Sequence, residues 1–141
     1  MLFRSFTSSC FVVSNLIGKT NEWDQKLGPP TEKLMDHLQM QEWIKNNQEI
    51  GSHGKSHIDL TKTKSIQIED EIKNSKSDIE SVLGQKIYQF AFPFGSYDFL
   101  SREIVRSSGY LSALTSDQGI VIKSNCATCV PRIKIQRSDG A

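Results

Sequence analysis

At 141 residues, with 37% hydrophobic and 23% charged residues, the chain has the size and make-up of one globular domain. A net charge of +1, with Lys and Arg scattered among acids, gives no electrostatic case for nucleic acid or a membrane surface as partner. No apolar run approaches the roughly 20 residues of a membrane span, and Ser and Thr interrupt the stretch after Arg4, so neither a transmembrane segment nor a secretory signal is expected.

In chain order, Cys10 to Ser14 is a short apolar run between polar residues, hence a buried strand. Gly28-Pro29-Pro30 reads as a loop, after which Thr31 can cap a helix from Lys33 to Asn47. That helix carries a rough apolar stripe of Leu34, Leu38, Trp43 and Ile44, with His37 on its surface. Gln48 to Ser52 reads as a strand running into Gly51-Ser52-His53-Gly54-Lys55-Ser56-His57. Ser65 opens a long helix in which Ile68, Ile72, Ile79, Val82 and Leu83 share a face, and Gly84 stops it. Ile87 to Phe92 is the next strand, Phe99 to Ser108 a helix ending at Gly109, Tyr110 to Thr115 a strand, and Val130 to Ile135 strand-like. Strands alternating with helices predict parallel β-α units in a single α/β domain over 9–136, with irregular tails at 1–8 and 137–141.

Two clusters carry the chemistry. His53 and His57, two of the three histidines in the chain, sit four residues apart just past a strand. Neutral imidazole is the commonest side-chain metal ligand, and two could supply part of a catalytic zinc-type site. Spacing alone fits two ordinary surface histidines equally well, and no neighbour is clearly a third ligand; Asp59 reads as a local turn cap. Phe90-Ala91-Phe92-Pro93-Phe94-Gly95-Ser96-Tyr97-Asp98 follows another strand. His53 and Phe94 both fall at strand C-terminal ends, where parallel α/β folds place catalytic residues. Cys126-Ala127-Thr128-Cys129 has C-x-x-C spacing with no second pair, and reads as plain loop cysteines rather than a zinc or redox motif.

The stretch Glu49 to Leu60 resembles the metal-binding motif of the polysaccharide deacetylases, the NodB-homology domains of carbohydrate esterase family four. Gly54 stands where that family usually has a hydroxyl residue. Phe90 to Asp98 resembles the groove-wall motif, Cys10 to Val13 the second strand and Val130 to Ile135 a late strand, so the likeness runs from about Ser9 to Gln136. The resemblance implies a distorted (β/α) barrel of the glycoside hydrolase and deacetylase type, here incomplete at the N-terminus. The family's Thr-Phe-Asp-Asp type motif, which supplies the general base and the third metal ligand, has no counterpart: no Asp precedes Asp24. Nor is the late Leu-x-His motif visible, since no His follows His57.

By resemblance, the chemistry is metal-assisted hydrolysis of acetyl groups on a carbohydrate polymer, with N-acetylglucosamine polysaccharide as the expected partner. A divalent metal, zinc foremost, would take His53 and His57, its Asp ligand being absent from the chain. The backbone N–H of Phe94 is the candidate oxyanion donor, with Pro93 and Gly95 shaping the turn. Phe92, Pro93, Gly95 and Tyr97 are candidate substrate contacts, although Phe90 and Phe92 read equally well as core. Arg132 could orient a base carboxylate, because Ala91 occupies the position where many members have Arg. The second possibility is a non-catalytic remnant or sugar-binding domain. On either reading the chain as written is expected to bind metal weakly, release little acetate and tend to associate.

Overall fold

The computed structural model describes residues 6–23, 31–122 and 126–135. Five strands, β1 (Ser9–Val12), β2 (Glu49–Ser52), β3 (Gln89–Ala91), β4 (Ser112–Gln118) and β5 (Val130–Arg132), form one sheet in chain order. Every neighbouring pair is parallel. Parallel neighbours need a crossover. Helix α1 (His37–Lys45) crosses from β1 to β2, and α4, defined here as Phe99–Ser107, from β3 to β4. Between β2 and β3 run α2 (Ser65–Glu69), a π turn over Asp70–Asn74, and α3 (Ser75–Leu83). Crossovers that always step in one direction leave the helices on one face, which is how a (β/α) barrel wall is wound rather than a doubly wound sheet. The described strands form an open arc ending at β1 and β5.

The core lies between that arc and its helices. Val12, Ile50, Phe90 and Ala113 face it from the strands, and Met40, Ile68, Ile72, Ile79 and Val105 from the helices. Each large apolar side chain buried there contributes roughly 1.5–3 kcal/mol.

The first helix differs from expectation. It begins at His37, capped not by Thr31 but by Asp36, whose carboxylate accepts the Gln39 N–H at 3.0 Å while the Gln39 side chain accepts the Asp36 N–H. This reciprocal box satisfies two donors at once, more than a lone Thr hydroxyl can. Starting there sets the phase: Met40 is buried, Trp43 and Ile44 pack beside it, and Leu38 is 65% exposed. Leu38 lies two residues before Met40, so it points about 200° away around the helix. The long helix after Ser65 buries Ile68, Ile72 and Ile79 and stops at Gly84, with a π turn in its middle. The strands are displaced by a few residues from the apolar runs, and β4 extends to Gln118 because its polar end still pairs with β5. The Gly28-Pro29-Pro30 loop and the tails at 1–5 and 137–141 lie outside the described residues.

Candidate active site at the strand ends

The histidine loop hangs from the first two strands. The His53 N–H donates to the Val12 carbonyl at 2.8 Å, and the Gly54 and Lys55 carbonyls accept from Ser14 and Asn15 at 3.1 and 3.0 Å. From below, Glu71 of the π turn holds the same loop: its Oε2 accepts the Lys55 and Ser56 N–H groups, both at 2.8 Å. Glu71 is only 2% exposed, so this carboxylate is inside the protein and used structurally. Gly54 adopts φ +81°, and a Cβ there would stand 3.2 Å from that carboxylate oxygen. The loop then turns at His57, φ +55°, and brings its ring back to 4.9 Å from that of His53, centroid to centroid.

His53 has its tautomer fixed by the backbone. Its Nδ1 lies 2.7 Å from the Ala91 carbonyl, which can only accept, so Nδ1 carries the proton and Nε2 keeps its lone pair. Burial pushes the imidazole down to about 4; the Ala91 bond opposes this, and the His57 and Arg132 charges reinforce it. The ring is therefore neutral at pH 7. His57 is sandwiched between Trp23, stacked at 4.4 Å and 23°, and Phe94, tilted at 4.8 Å. A small apolar cavity of about 120 Å³ adjoins His53, lined by Val13, Leu16, Trp23 and Met35 among others.

The second cluster meets the first at Phe94. Pro93 and Phe94 turn the chain after β3, with Phe94 at φ +59° and 62% exposed. Gly95, φ +71°, passes so close to β4 that a Cβ would lie 2.6 Å from the Ser116 backbone nitrogen. Phe92 is fully buried, edge-on to Phe90 at 5.2 Å, and Pro93 is buried too. Both side chains belong to the core of the described residues, so of the groove candidates Phe94 and Tyr97 are the ones that reach the surface. β-strand alternation sends Phe90 inward, and Phe92 stays inside because the chain turns only after it. Tyr97 is half-buried against Phe92, and its hydroxyl donates to Asp117 at 3.0 Å. Arg132 is exposed; its Nε donates to the Thr115 carbonyl at 2.7 Å. Asp59 caps the turn Leu60–Lys62 and Asp98 caps α4.

Two imidazoles at this spacing fit two positions of a zinc-type site, and the fixed tautomer of His53 suits ligation. Among the described residues no group of three His, Cys, Asp or Glu could hold an ion, and Asp24 lies outside them. The residues that the motifs did not point to are Trp23, Glu71 and Asp117. Glu71 had a signal: an acid on the apolar face of a helix, beside Ile68 and Ile72, is a buried charge in need of donors. Trp23 had none.

The family model described as Polysaccharide deacetylase matches residues 5–113. Among solved structures, the chain is similar to the Streptococcus pyogenes deacetylase PplD in complex with acetate: TM-score 0.79, 22% identity, 92% of this chain and 53% of that one. It is similar to IcaB from Ammonifex degensii at TM-score 0.80 and 18% identity, over 96% of this chain and 59% of that one. It also resembles a CE4 family pseudoenzyme from Bacillus anthracis at TM-score 0.56 and 20% identity, over 76% and 33% of the two chains. At these identities the likeness is one of fold, and the chain spans about half the length of the first of these structures. No curated protein matches the sequence.

Proposed function

The chain belongs to the polysaccharide deacetylase family, and on that premise we propose that its protein removes acetyl groups from a carbohydrate polymer, N-acetylglucosamine polysaccharide foremost, with a divalent metal such as zinc. The observation that carries this reading is the pair His53 and His57, rings 4.9 Å apart at the end of β2. On this reading both imidazoles hold the ion, His53 through Nε2. A divalent ion bound there supplies Lewis acidity, polarising a carbonyl and acidifying water. The Phe94 N–H, on a turn pinned by buried Pro93 and by Gly95, stabilises the developing oxyanion. The exposed Phe94 ring and the edge of Tyr97 face the sugar, whose C–H surface packs on aromatic rings. The apolar cavity beside His53 suits an acyl methyl. Arg132 stands near enough for its charge to act on His53, and could orient a base carboxylate.

A second reading, a carbohydrate-binding domain without hydrolysis, is favoured by the use made of the nearby acids. Asp59 and Asp98 both commit their carboxylates to caps. Zinc titration by calorimetry on the 141-residue chain, together with acetate release from chitooligosaccharides, tests both readings. The expected result is zinc binding, weaker than at a site with three protein ligands, that His53→Ala and His57→Ala each abolish, with slow acetate release. Lacking a positioned base typically forfeits 10²–10⁴-fold. Zinc binding that survives both substitutions overturns the metal assignment. Sugar binding with no acetate release at any zinc concentration supports the second reading.

A further inference from the structure

The C-x-x-C segment folds as a tight turn just before β5. The Cys129 N–H donates to the Cys126 carbonyl at 3.1 Å, closing a β-turn over Cys126-Ala127-Thr128-Cys129. Such a turn holds its first and last Cα atoms within about 7 Å, in the range that a disulfide spans with little backbone movement. Cys126 Sγ lies 3.0 Å from an Arg102 guanidinium nitrogen, which reaches it from α4, and 3.2 Å from the Thr128 hydroxyl. Arg102 is half-buried and makes this contact from a helix capped by Asp98. A cation and a hydroxyl aimed at one sulfur of a closely spaced pair form the environment of a reactive thiolate with a resolving partner. Among the described residues no His, Asp or Glu joins the two thiols in a metal-binding group.

We propose that Cys126 and Cys129 form a thiol–disulfide exchange site, with Cys126 the attacking and Cys129 the resolving residue, acting on low-molecular-weight disulfides of the glutathione disulfide class. The Cys126 thiolate attacks one sulfur of the oxidant; the oxidant's S–S bond breaks, its first thiolate leaves and takes a proton, and a mixed disulfide forms on Cys126. Cys129 then loses its proton to solvent and attacks the Cys126 sulfur, forming the Cys126–Cys129 bond and releasing the second thiolate. Two thiols are oxidised and one disulfide is reduced to two thiols, so atoms and electrons balance. The asymmetry supports the order of attack. Hydrogen bonds, from Thr128 first and from Arg102 among the others, bring the Cys126 thiol down to about 7, whereas burial pushes Cys129 up. The titratable groups around the pair are Arg102 and Tyr97, besides the two thiols themselves. The proposal uses neither histidine and does not depend on the deacetylase reading.

The test is alkylation by iodoacetamide of the full, reduced chain, followed by peptide mass spectrometry, and then incubation with oxidised glutathione. At pH 7 a thiol titrating at about 7 is roughly 15-fold richer in thiolate than an ordinary one near 8.5. Its weaker nucleophilicity returns about five-fold of that, so Cys126 should react about three-fold faster than an ordinary exposed thiol. At pH 7 it should react faster than Cys129; Thr128→Val, which takes away the first hydrogen bond to Cys126, should shrink that advantage, Arg102→Met should shrink it less, and in every variant it should narrow as the pH is raised to 9.5. Half-buried Cys10 in β1 is the internal control, because its modification rises only if a variant unfolds. Glutathione disulfide should give an intramolecular Cys126–Cys129 product, and Cys129→Ser should trap glutathione on Cys126. A Cys126 that alkylates no faster than Cys129 with Arg102 intact, or a persistent mixed disulfide in the unsubstituted chain, overturns the proposal.

Discussion

His53 shows how one buried side chain links pH to stability. Its imidazole titrates at about 6.5 when unfolded and about 4 when folded, lowered chiefly by burial. The unfolded chain therefore binds the extra proton first as pH falls. Stability from this residue is full above about 6.5 and is lost progressively down to about 4, by an amount on the order of 3 kcal/mol. Urea unfolding of the chain in chelator, between pH 7 and 4, should show that decline, and His53→Gln should flatten it; an equal slope in both chains would refute the assignment. Gly95 makes a different point. Its φ of +71° and its approach to Ser116 leave no room for a Cβ. Gly95→Ala should cost at least about 2 kcal/mol in the same assay and displace the Phe94 turn.

Elements are placed by caps and by buried polar anchors as much as by apolar pattern. Asp36, not Thr31, starts α1. Asp36→Ala should therefore lower stability by about 1 kcal/mol, while Thr31→Ala should leave it unchanged within error. The π turn is the second case. It presents Glu71 to the histidine loop and Ile72 to the core, and both are buried. Glu71→Ala leaves the Lys55 and Ser56 N–H groups without their acceptor, at about 1–3 kcal/mol for a hydrogen bond to a charged group. Because the same bonds set where His57 turns, zinc affinity should fall roughly 10–100-fold, as for other residues that orient metal ligands. Glu71→Gln, which keeps an accepting oxygen, should recover much of both. Unaltered zinc affinity in Glu71→Ala would show that the loop holds its shape without the carboxylate.

The open arc has consequences for the whole molecule. Among the described residues β1 and β5 are the outer strands of the sheet, and an outer strand can template association through its free edge. Beside β5 the chain exposes Ile133 at 59% and Ile135 at 78%, with Val121 and Ile122 at 64% and 55%. Apolar surface gathered at a sheet edge favours self-association. The isolated chain should elute in size exclusion at a volume that shifts with concentration, and Ile133→Lys with Ile135→Lys should reduce the shift. A monomer at every concentration would show that these edges are already protected.

Order along the chain was enough to read the alternation of strands and helices, because each element repeats its apolar residues at its own period. It also singled out His53, His57 and the Phe94 turn by their short-range motifs, and the fold brings the His57 ring to 4.9 Å from that of His53 and 4.8 Å from that of Phe94. Those features are local. What faces what is not. Phe92 reads as well at a groove as in a core, and only the point where the chain turns, after Phe92, sent it inward. Leu38 and Met40 are both apolar helix residues, and the cap at Asp36 decided which is buried. Glu71 lies fifteen residues after Ser56, and Arg102 twenty-four before Cys126, yet each meets its partner across the fold. Such contacts depend on the register of the strands and the phase of the helices, which packing of the whole core selects.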